Sequence, residues 1–176
     1  MKKTTMPSVI LLAGALGAST VIPLNLSQLS TLAHRVVSGK IDRITSHQDP
    51  TTGRILSKVE VVPPAPQPPL VFEMTGGTVG DLRQWIAGFP SLQAGDRVVL
   101  FLAENTATPL GPTVGLHQGV FFIEPDDTIT DHRHRPISGI RGEQLLLADG
   151  PASDRLKLQT FLQKVQSLKR AAADRK

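Results

Sequence analysis

From Val37 to Ile123 the chain rarely runs more than about ten residues without a turn signal, the spacing of short strands rather than of ordinary helices. Asp49-Pro50 with Gly53, the prolines between Pro63 and Pro69, Gly76-Gly77 with Gly80, Pro90 with Gly95-Asp96, and Gln118-Gly119 punctuate it. Between them the pattern has a period of two. Val37, Gly39 and Ile41 alternate with Ser38, Lys40 and Asp42; "ILSKVEVV" puts Val59 and Val61 on one face. "LVFEM" is a further strand, and "LRQWIAG" another, with Trp85 and Ala87 on one face and Ile86 on the other. "VVLFLAE" carries an unbroken apolar run, Val98 to Ala103, and should be the most buried strand. "TVGLHQGVFFIE" reads as two strands pinched at Gln118-Gly119, and the polar stretch to Ser153 as one or two weak strands. "PPAPQPP" cannot donate along a sheet ladder and is a stiff connector.

Helical signals stand only at the two ends. Asn25 or Ser27 can cap a short helix carrying Leu26, Leu29 and Leu32. At the other end Ser153 is a cap candidate and Asp154 suits the positive helix end. Leu158, Phe161, Leu162, Val165 and Leu168 then form one apolar stripe. Lys169, Arg170, Arg175 and Lys176 sit where a helix dipole favours cations. The expectation is a mainly β fold: a small antiparallel β-barrel or sandwich with a short N-terminal helix and an amphipathic C-terminal helix as lid.

The first residues read as an address. Lys2 and Lys3 precede the apolar run Val9–Leu16, and small residues follow. That is signal-peptide architecture, with cleavage after Ala18 or after Ala15, and the run is too short for the ~20 apolar residues of a span. The division expected is a signal peptide over 1–18, a β-barrel domain over 19–152 and a helix over 153–176. The destination is the periplasm or the exterior, with no stable membrane anchor once the signal is removed. The 176 residues contain no cysteine, so disulfides, zinc–thiolate sites, a cysteine nucleophile and a lipoprotein anchor are excluded. Residues 19–154 carry ten basic against fourteen acidic side chains, whereas seven basic residues and one acid follow from Arg155. We read that basic segment as a solvated helix face. With one tryptophan and no tyrosine, stacking platforms for nucleic acid are scarce, and no nucleic-acid partner is expected.

Two stretches invite a chemical reading. "TGGTVGD", Thr75–Asp81, is glycine-rich after a strand, as a phosphate loop would be. Such a loop needs a helix N-terminus behind it, but "LRQWIAGFP" alternates and ends at proline, so the glycines mark a tight turn or bulge needing positive φ. In "DHRHR", His132 and His134 would share one face of a strand, and Asp131 or Asp127 could add an oxygen for a metal. Arg133 and Arg135 place positive charge beside such a site, and a solvated loop is the plainer account. No GxSxG or SxxK motif occurs, and no set of acid, base and oxyanion donors assembles. No catalytic, cofactor or metal residues are therefore assigned.

The segment Phe72–Ile123 combines a Gly-Gly-x-x-Gly turn at Gly76, Gly77 and Gly80 with "GFPSLQAGDRVVLFL" and "VGLHQGVFF". In these motifs it resembles a group of exported, functionally uncharacterised bacterial proteins. "LSQLSTLAHRVVSGKI" and the C-terminal helix are similar to that group's ends, so the resemblance covers most of the chain after the signal. The proline-rich segment after Val62 departs from it, since a longer strand and a "KG"-type turn are usual there. The group is distantly similar to the OB-type barrel of netrin-like modules and tissue metalloprotease inhibitors. The resemblance implies a five-stranded barrel with a helix; it implies no activity. The inhibitors' cysteine-tethered wedge has no counterpart in a chain without cysteine. The leading expectation is an exported, non-enzymatic binding or interaction module of unknown ligand, a protein partner being one option. An inhibitor or accessory module of a secreted protease, and a metal-dependent hydrolase using His132 and His134, are the alternatives.

Overall fold

The computed structural model describes residues 22–104, 111–148 and 154–174. The signal segment, its cleavage sites and Ser153 lie outside them, as do Arg175 and Lys176.

Among these residues the fold is mainly β, with two helices. Helix α1 spans Leu26–Leu32, and helix α2 spans Leu158–Ala173. Between them run β1 (Arg35–Gln48), β2 (Ile55–Val62), β3 (Leu70–Thr75), β4 (Gly77–Val79) and β5 (Leu82–Gln84). There follow β6 (Arg97–Leu102), β7 (Val120–Ile123), β8 (Ile129–Thr130), β9 (Ile137–Arg141) and β10 (Gln144–Leu147). Six strands form one antiparallel sheet in the order β3-β2-β1-β6-β7-β8, and β4–β5 and β9–β10 are separate hairpins. "PPAPQPP" is the link between the neighbours β2 and β3.

Strand β1 is the spine. Its first residues, Arg35–Lys40, pair with β6, and Lys40 onward pairs with β2 across a bulge between Ile41 and Arg43. A bulge bends the strand and tightens its twist. Gly39 lies where the ladders part; a Cβ there would sit 2.8 Å from the Val62 carbonyl oxygen, so a side chain would push β2 away.

The sheet buries residues on both faces. One face gathers Val37, Ile41, Val59, Val61, Phe72, Val98, Leu100 and Phe122, all at most 4% exposed. The other gathers Val99, Phe101, Phe121 and Ile123 beneath Leu26 and Leu29 of α1 and Phe161 and Val165 of α2. Phe101, Phe121 and Phe161 meet as a ring triad with centroids 5.0–6.2 Å apart. Strand β6 faces both clusters, which is why its sequence is apolar without interruption. α1 is held by a capping box: Asn25 Oδ1 accepts from Gln28 N, and Gln28 Oε1 accepts from Asn25 N. Leu26 and Leu29 are buried as expected, whereas Leu32 is exposed.

Four expectations are corrected. "TVGLHQG" is no strand. Leu116–Gly119 form a 3-10 turn, because Gly115 and Leu116 both take positive φ. Of "LRQWIAG" only Leu82–Gln84 is strand; the chain then runs irregularly to Asp96. The last helix starts at Leu158, with Lys157 as its N-cap residue. Asp154 does not open the helix, because Leu156 is still used as sheet-like backbone: it donates to Ile137 O and accepts from Ile129 N. Lys169 does not serve its own helix end. Its Nζ donates to Ala33 O and His34 O at the end of α1.

Candidate functional site

The glycine-rich stretch becomes a hairpin laid over the β1–β2 ladder. Gly80-Asp81 is its two-residue turn, joining β4 to β5. Gly76 and Gly77 take φ of +107° and +138°, which redirects the chain after β3. Gly77 sits so close to β1 and β2 that a Cβ would run into Ser46 Oγ and Ser57 Oγ. Those hydroxyls are bonded at 2.8 Å, and Ser57 Oγ donates to Gly76 O. Strand β5, not a helix, follows the glycines, so the backbone offers no phosphate cradle.

Beside this hairpin lies a groove of about 170 Å³. Ile44, Met74, Phe89, Pro90 and Leu92 form its apolar walls, and Ser57, Thr78, Arg83 and Gln84 its polar ones. Trp85 stands at its edge, 70% exposed, and is the chain's sole tryptophan. The loop after it is tied down. Gly88 O accepts from His117 N and contacts His117 Nδ1 at 2.8 Å; Gly95 and Asp96 exchange backbone bonds with Ile41. Leu82, next to the groove, is also exposed. An expected strand had put Trp85 on a sheet face; the loop puts it in solvent.

The "DHRHR" stretch is a turn rather than a strand. Asp131 organises it: its carboxylate accepts from Arg133 N, Arg135 N and Arg135 Nε, and pairs with Arg135 Nη2 at 2.6 Å. Burial alone would raise the Asp131 pKa, but the hydrogen bonds and the Arg135 charge win and hold it below the ordinary value. His134 takes a left-handed φ of 57°, so the two histidines leave the turn in different directions. His134 stacks on Phe122 at 4.1 Å, near Glu124; His132 packs on His117 at 4.0 Å. Asp127, the other oxygen candidate, is paired with Arg97. His132 and His134 are thus not brought together. Among the described residues no group of three His, Cys, Asp or Glu is placed to hold a metal.

His132 is held neutral. Burial lowers its pKa to about 4, helped by His117, Arg133 and Arg135 and opposed by Asp131. It lines a second cavity, of about 310 Å³, between α1 and the β9–β10 hairpin. Leu29, Phe121, Ile137, Leu145 and Leu147 make that cavity mainly apolar; Asp131, Arg135 and Gln144 join His132 on its polar side. His117 was missed in the sequence because its partners, Gly88 and His132, are distant along the chain.

Among the described residues no helix is long and apolar enough to cross a membrane. Comparison with protein-family models, with curated proteins and with solved structures finds no match to this chain.

Proposed function

We propose that this protein is an exported, non-enzymatic binding module built on an OB-like, netrin-like β-barrel, and that it seats a side chain of a protein partner in the Trp85 groove. Trp85 carries the reading. A tryptophan 70% exposed, on a loop fixed at both ends beside a groove with apolar and polar walls, is the composition of an interaction hot spot. The groove, about 170 Å³, is smaller than the ~300–1,000 Å³ of small-molecule pockets but suits one inserted side chain. The barrel reading is supported by the first core cluster, whose buried members all come from the sheet and none from either helix. Export is supported by Lys2, Lys3 and the apolar run after them. The non-enzymatic reading is supported by the parting of His132 from His134 and the pairing of Asp127 and Asp131 with arginines.

The test is crosslinking of the tagged protein in its native envelope or medium, followed by mass spectrometry and titration of the captured partner. Because Trp85 is the sole tryptophan, its emission reports the site directly. Binding should shift that emission to the blue, and Trp85→Ala should lose the partner while Leu147→Ala keeps it. A partner held equally well by Trp85→Ala, or stoichiometric turnover of a substrate by the pure protein, overturns the reading.

A further inference from the structure

We propose that the cavity between α1 and the β9–β10 hairpin is a second, separate site, which takes a small carboxylate with an apolar body. The cavity, about 310 Å³, falls within the ~300–1,000 Å³ of small-molecule sites. Its walls are aliphatic and aromatic side chains from three directions: Leu29 of α1, Phe121 of β7, and Leu145 and Leu147 of β10. An apolar body placed there leaves water without exposing protein polar groups.

The polar side selects the head group. Arg135 is donor-only and has five N–H groups, more than its contacts to Asp131 consume. Neutral His132 offers one N–H and one lone pair, and Gln144 adds an amide. Donors therefore outnumber acceptors. Asp131 does not repel an incoming anion strongly, because its carboxylate already accepts from Arg133 N and Arg135 N and pairs with the Arg135 side chain. Glu143, the next acid, accepts from Asn25 Nδ2. With the Asp131 carboxylate already satisfied, the N–H groups left on Arg135 favour an acceptor-rich anionic head over a cationic one. A carboxylate bound beside a guanidinium is the strong form of such a contact.

The experiment is calorimetric titration of the full-length protein with octanoate and, separately, with octanol, which keeps the body and removes the charge. Octanoate should bind one saturable site, and octanol about tenfold more weakly or worse, the loss expected for a charged hydrogen bond. Leu145→Trp fills the cavity from β10 and should abolish octanoate binding. Arg135→Gln should weaken it about tenfold. Since Arg135 also shapes its turn, Leu145→Trp provides the test that does not touch that turn, and circular dichroism checks that both variants fold. Trp85→Ala should bind octanoate as the parent does, whatever becomes of the partner groove. No saturable octanoate binding, equal binding of octanol, unchanged binding in Leu145→Trp, or loss in Trp85→Ala would each overturn the proposal.

Discussion

The two halves of β1 live in different surroundings. Arg35–Lys40 pair with β6, whose residues Val98–Leu102 are all buried, between one core cluster and the two helices. The far half pairs with β2, which buries alternate residues and leaves the others toward solvent; Glu60 among them forms a surface ion pair with Arg43 of β1. The first half is finished on both faces; the second is finished on one. The candidate groove opens at that second half, where Ile44 and Met74 meet the hairpin loop rather than a helix. On the proposed reading, stability and recognition are drawn from different parts of one strand.

The contrast can be broken most sharply at α2. Phe161 is fully buried against Phe101 and Phe121, and Phe161→Ala should cost about 3–5 kcal/mol in urea unfolding, a typical loss for a core aromatic. Next is Gly77→Ala. The positive φ and the crowding by Ser46 and Ser57 should cost about 1–3 kcal/mol. That change should also move the Trp85 emission at neutral pH, since the hairpin carries the groove wall; unchanged emission would separate the hairpin from the groove.

A smaller effect is expected at His132. Its folded pKa, about 4, lies below the ordinary 6.5. As pH falls from about 6.5 toward 4 the unfolded chain takes up a proton that the folded one refuses, so stability drops through that window and is unaffected above it. His117, Asp131, Arg133 and Arg135 are the charged or titratable groups that set this balance. His132→Gln should flatten the melting temperature between pH 6.5 and 4.5 relative to the parent; an unchanged slope would mean that other groups carry it. Smallest of all, Trp85→Ala should change unfolding stability by under about 0.5 kcal/mol, as for an exposed side chain, while removing partner capture. A large loss of stability would return Trp85 to the core.

Where burial repeats along the chain, the sequence was readable. Strand β2 matches its expected span, Ile55–Val62, and β6 is as buried as its apolar run implied. The glycines of "TGGTVGD" do mark a turn with positive φ. What failed depends on distant backbone. Nothing local reveals that Leu156 will pair with Ile129 and Ile137 and so delay α2, or that Leu116 will accept a left-handed φ to close a 3-10 turn. The sites failed for the same reason. His132 and His134 are two positions apart, yet one left-handed residue sends them to different aromatic neighbours. Trp85 stayed hidden behind an expected strand that ends one residue before it.

The fastening of α1 has a consequence for the order in which the molecule can form. Leu24 N is held by Gln118 Oε1, 94 positions later; Leu26 N by Glu143 O; and the end of α1 by Lys169. A helix of seven residues does not persist alone in water. Those fastenings close only once Gln118, Glu143 and Lys169 are in place. Closing such long loops is slow, so α1 should dock late in refolding, after the β1–β6 ladder has formed.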